Sequence, residues 1–212
     1  NVILGSGGCG GGSVLTIDVD TTLGGTINSD AGDDGIINVN ANKVVTFNGI
    51  IGAGQTLAAI NLNNGSATTF GAAVTSTDIK FNGGTATGAG LIAANASFLA
   101  NGGTLTANNG LTGNVDLNNG GIVVVAGDAL TGNITSAGGG NVGNASVTVN
   151  NANGIVGAVD LTNGGTVTTT AGGIVDGNGG ALTLGEGATI TASGLVSKLG
   201  AGVIFAANGG TL

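Results

Sequence analysis

The chain has 212 residues, 47 of them Gly, and carries eleven carboxylates against three Lys (Lys43, Lys80 and Lys198), for a net charge of -8. With no His and one Cys, the usual zinc, iron and haem ligand sets are excluded, and so is any Ser-His-Asp or Cys-His pair. Without Arg there is no basic surface for nucleic acid, and 41% apolar residues with no Pro exclude disorder and collagen alike.

Residues 1–12 contain the run Gly5-Ser-Gly-Gly-Cys-Gly-Gly-Gly12 and are expected to form a flexible lead segment. Cys9 has no second Cys to pair with inside the chain, so it reads as a free thiol, with an intermolecular disulfide left open. Because Met is absent, Asn1 is not a translation start, and the chain reads as a processed product or part of something longer. No apolar run approaches the roughly 20 residues that span a bilayer, so no membrane-spanning segment is expected.

From residue 13 to 212 a single repetitive domain is predicted. Short alternating runs occur at residues 13–20, 37–42, 60–63, 115–117, 146–149 and 159–161. A period of two marks a strand with one buried face and one wet face. Inward positions are therefore predicted at Ile60, Leu62, Val115, Leu117, Val147, Val149, Val159, Leu161, Leu182 and Leu184. Asn-Gly steps begin at Asn48, Asn64, Asn82, Asn101 and Asn119, so they recur every 16 to 19 residues. Residues 111–121 match residues 155–165 at seven of eleven positions, at an offset of 44, or two units of about 22. No window holds a helical period for ten residues.

Short strands, Asn-Gly turns and a fixed period predict an all-β fold: a parallel β-helix (β-solenoid) of about ten coils of roughly 20 residues. Stacked Val, Ile and Leu would fill the interior, with Asn and Gly at the corners. Asn-Gly between apolar runs is also a hairpin signal, so an antiparallel sandwich or barrel is the competing architecture.

Several polar side chains also recur in this register. Asp116 and Asp160 fall at equivalent repeat positions and are expected on one exterior face, as solvated strand residues. Asp18 with Asp20, and the run Asp30-Ala-Gly-Asp-Asp34, offer oxygen ligands for Ca²⁺ but without a regular ligand spacing, so they read as solvated turns. Thr-x-Thr occurs at Thr75/Thr77, Thr85/Thr87, Thr104/Thr106, Thr166/Thr168 and Thr189/Thr191. On a solenoid a continuous Thr array could bind ice. The coil after Thr104 offers Ile122-Val-Val-Val125, which interrupts it, so these pairs read as ordinary strand propensity. No catalytic, cofactor-binding or metal-ligating residue is assigned, and the chain is not expected to be an enzyme.

The terminal stretch contains Gly194-Leu195, then Lys198-Leu-Gly-Ala-Gly202, an apolar strand, and Gly209-Gly-Thr211. It resembles the passenger-associated repeat of bacterial autotransporters. Residues 43–54 and 68–83 are similar to repeats in the surface-cell antigens of rickettsia-like bacteria. The resemblance implies an exported passenger with a parallel β-helix at the cell surface or secreted, serving in adhesion or a surface coat, with no catalytic residues to carry over. A host or neighbouring-cell receptor would be its partner. The alternative expectation is a self-assembling fibre or surface-layer subunit, stacking end to end through the backbone edges near residues 13–19 and 203–206.

Overall fold

The computed structural model describes residues 1–5, 12–136, 143–171, 174–175, 182–192, 203–205 and 210–211. Cys9, Lys198 and the Gly-Leu and Lys-Leu-Gly-Ala-Gly parts of the terminal motif lie outside these residues. The described chain is all-β, and every described strand pair is parallel. That pairing rules out the antiparallel sandwich or barrel.

Each coil runs along three faces. The first face stacks Val14–Ile17, Ile36–Val39, Leu57–Leu62, Val74–Phe81, Ile92–Phe98, Val115–Asp116, Ile134–Thr135, Val159–Leu161, Leu182–Leu184 and Val203–Phe205 in sequence order. The second face stacks Thr21–Leu23, Val44–Phe47, Ala67–Phe70, Thr85–Gly88, Thr104–Ala107, Ile122–Val125, Ser146–Val149, Gly165–Thr169 and Ala188–Ala192. The third face is narrower. It links Val2–Leu4 to Ile27–Ser29, passes through Ile51 and the starts of the two longest first-face strands, and continues as two-residue strands such as Leu111–Thr112 and Leu130–Thr131.

The molecule is the expected β-solenoid, its coil count differing slightly from ten. Coil length varies along the rod. One coil takes 17 residues (Asp78 to Asn95), several take 19 (Val115 to Ile134), and one takes 25 (Ile134 to Val159). The lead-segment expectation is corrected at Val2–Leu4, while residues 6–11 lie outside the described residues. Val2–Leu4 pairs in register with Ile27–Ser29, and Leu4 is buried, because its apolar triplet completes the third face.

Inward side chains form continuous aliphatic columns. All ten residues predicted to face inward are at most 5% exposed. Aromatic bulk is distributed so that each coil stays filled. Phe47 stacks on Phe70 at 5.7 Å on the second face, and Phe81 on Phe98 at 4.9 Å on the first. Where the rings move to the first face, the second face of the same coils turns to Gly88 and Ala107, which keeps the cross-section at constant volume. Gly121 sits against the Phe98 ring, where an added Cβ would lie 2.3 Å from Cγ.

The core carries a few polar defects. Thr68 and Thr169, inward on the second face, bury hydroxyls that have no partner. A buried hydroxyl without a bond costs about 1–3 kcal/mol, whereas an apolar group of the same shape costs nothing. Thr169→Val is therefore expected to stabilise the fold by about 1 kcal/mol, read as a rise in urea midpoint at unchanged slope. An unchanged or lower midpoint would mean that the hydroxyl is satisfied in solution.

Candidate functional site

The corners are where the repeats carry polar chemistry. At the turn from first to second face, Gly65, Gly83, Gly102, Gly120 and Gly164 all have positive φ, between 62° and 94°. One coil earlier Asn42 holds the same place at φ 60°, the conformation that Asn tolerates best after Gly. Shallow depressions run along this corner. One is lined by Asp18, Asn40, Lys43, Asn63, Asn64 and Asn82. Another lies beside Asn101, Asn119 and Asn144.

At the turn from third to first face an Asn ladder ties coil to coil. Asn95 donates from Nδ2 to Asp78 Oδ1 (3.3 Å). The backbone N–H of Asn114 donates to Asn95 Oδ1 (2.9 Å), that of Asn133 to Asn114 Oδ1 (2.9 Å), and that of Ala158 to Asn133 Oδ1 (3.0 Å). Each amide oxygen thus satisfies a corner donor of the next coil. A second rung joins Asn61 Nδ2 to Asn38 Oδ1 (2.6 Å) on the first face.

Five of the acidic residues singled out in the sequence serve as turn and ladder acceptors. Asp116 and Asp160 do share one outward column of the first face, with Thr135 between them. Asp116 Oδ1 accepts the Asn118 N–H (2.9 Å), and Asp160 Oδ1 accepts the N–H of Thr162 (3.0 Å) and its hydroxyl. Asp18 accepts from Asn40 Nδ2 (3.1 Å), Asp20 from the Val44 N–H (2.9 Å), and Asp33 from the Thr77 hydroxyl (2.6 Å). Among the described residues, no three His, Cys, Asp or Glu converge on a point where a cation would sit. Asp128, which the sequence did not flag, is held below the usual carboxylate range by the Ala129 N–H and by Asn153 Nδ2, at 2.7 and 2.8 Å. It closes its own turn and ties that turn to the next coil.

The second face is chemically distinct. Its outward side chains form two columns in strict register. One runs Thr22, Thr46, Thr69, Thr87, Thr106, Val124, Thr148, Thr168, Thr191. The other, two residues earlier on each strand, runs Val44, Ala67, Thr85, Thr104, Ile122, Ser146, Thr166, Thr189, and Thr189 bridges onward to Thr211. Residues 122–125 interrupt the Thr array as expected, but for one coil alone. Ile122 and Val124 fill one coil, and the hydroxyl columns resume at Ser146 and Thr148. Thr75 and Thr77 stand apart, on a strand shared by the third and first faces.

None of the nine second-face strands contains a charged residue or an Asn. The Asn, Asp and Lys side chains lie instead on the first face and at the corners, as at Asn38, Asn61, Asp78, Lys80 and Asp116. Lys80 sits 4.0 Å from Asp78, an exposed pair of little energetic consequence. The outward hydroxyls are also unspent: in the two columns, only Thr85 donates to a protein group, the Ser66 carbonyl oxygen at 3.2 Å.

The chain matches no family model, no curated protein and no solved structure. No helix among the described residues is long and apolar enough to cross a membrane.

Proposed function

We propose that this chain is a non-catalytic structural and adhesive rod of the bacterial cell surface, displayed as the passenger of an autotransporter-type protein. The observation that carries the reading is the unbroken parallel ladder of the first face, from Val14–Ile17 to Val203–Phe205, in which every described coil rests on the one before. Such a stack extends by repetition and keeps its cross-section, which is what a spacer that projects a surface away from a cell needs. The terminal Lys198-Leu-Gly-Ala-Gly202 motif supports the export route by its resemblance to the passenger-associated repeat. A surface with three Lys and no Arg also offers trypsin few sites, which suits an exposed position.

The test is location. Antibodies raised against the purified chain are expected to label intact source cells, and brief protease treatment of those cells is expected to remove the label. Labelling that appears only after the cells are permeabilised would overturn the reading.

A further inference from the structure

We infer that the second face is an ice-binding surface, its ligand the ordered lattice of frozen water. This does not depend on where the chain is displayed. Four observations converge on it.

The first is spacing. Neighbours along each column are one strand apart, about 4.8 Å, and neighbours across the columns are two residues apart on one strand, about 6.7 Å. The prism plane of hexagonal ice repeats its oxygens over a rectangle of similar size, somewhat shorter along the columns and longer across them. Eight strands carry both columns, for about 34 Å along the rod. Second is regularity. Second-face pairs run without a slip, whereas the first face shifts register between Ala93 and Asn95. A lattice match survives only if errors do not accumulate from coil to coil.

Third is side-chain chemistry. Thr is β-branched, so its χ1 is restricted and its hydroxyl and methyl are held in place before any ligand arrives. The methyls order nearby water, and the hydroxyls, which apart from Thr85 are not spent on protein groups, anchor it. Positions that depart from Thr and Ser are Val44, Ala67, Ile122 and Val124, which keep a methyl surface and add no charge. Fourth is the exclusion of charge from all nine strands in a chain of net charge -8. Ice admits no ions, and a hydrated carboxylate or ammonium would hold water in a different geometry. A glycan would favour aromatic platforms, but every Phe on the described second-face strands is buried.

The experiment grows an ice hemisphere slowly in a solution of the purified chain and measures the protein fraction taken into the ice, with crystal shape recorded by microscopy. The parent chain is expected to enter the ice and to facet single crystals. Thr106→Lys and Thr168→Lys, each outward on the second face, are expected to cut the ice fraction about tenfold by forcing a charge against the lattice. Asn61→Lys on the first face is expected to behave as the parent. Thermal melts check that all three remain folded. The inference is overturned if the parent is excluded from ice like an ordinary soluble protein. It is also overturned if folded Thr106→Lys and Thr168→Lys partition as the parent does, or if sedimentation shows the face covered by a second copy and the protein stays in the liquid.

Discussion

Leu161→Asp is expected to destroy the cooperative fold at neutral pH. Leu161 is fully buried on the first face, paired in register with Leu184. The substitution forfeits about 2–3 kcal/mol of side-chain burial. It also leaves a carboxylate in a column of aliphatic groups with no cation among the described residues near enough to pair, which costs several kcal/mol more. Together these losses approach the roughly 5–15 kcal/mol that separates a folded domain from its unfolded chain. Burial raises the pKa of such a carboxyl, so the folded form regains stability as pH falls and the group protonates. Far-ultraviolet circular dichroism should show the β signal lost at pH 7 and partly recovered in acid. A parent-like melt at pH 7 would mean that the side chain has swung outward and that the first face tolerates inversion.

Gly132→Ala is expected to be nearly as damaging, for a backbone reason. Gly113, Gly132 and Gly157 stack at the corner from third to first face with φ of 152°, 151° and 155°. A Cβ on Gly132 would lie 2.1 Å from the Gly113 carbonyl oxygen and 2.5 Å from its carbon, and the same 2.1 Å clash recurs between Gly157 and Gly132. Backbone atoms cannot swing aside as a side chain can. The corner hydrogen bonds from Gly113 to Thr131 and from Gly132 to Val156, both 2.9 Å, fix the coils at that spacing. Strain of this kind costs about 1–3 kcal/mol at the residue itself, and opening the coils adds to it. A urea midpoint lowered by the equivalent of about 3 kcal/mol is the expected result. Gly54→Ala, with nothing within 4 Å of the new methyl, should change stability by no more than about 0.5 kcal/mol. Equal midpoints for the two variants would show that the corner relaxes.

The first face is legible in the sequence because strands such as Val159–Leu161 alternate cleanly and recur in the 44-residue repeat. The inward set follows from alternation alone. The third face is not legible. Leu111–Thr112 and Leu130–Thr131 are too short to alternate, and Ile51 joins the face by a single bridge. Coil number is obscured because corners absorb extra residues without disturbing the strands between them. The second-face array is hidden for the same reason. From Thr106 to Val124 the column advances 18 residues, and from Val124 to Thr148 it advances 24. A search at fixed period loses the column at that jump, while the backbone register carries it across. The acidic residues were visible as candidates. Their use as local acceptors depends on turn geometry that composition does not encode.

The similarity of residues 111–121 and 155–165 makes the length of this rod an interchangeable quantity. Val115 pairs with Ile134, and Ile134 with Val159, so the two matching segments occupy the same place two coils apart. Joining Asn114 directly to Val159 would remove both coils and still set an aliphatic residue on Ala96. Gly165, at φ 108°, would take the position beneath Phe98 that Gly121 holds at φ 123°. Duplicating the same block would insert two coils with every new neighbour already compatible. Recombination between such segments changes reach in steps of two coils, about 10 Å. Lineages carrying this scaffold can therefore differ in rod length while each coil still meets the kind of neighbour it was built against.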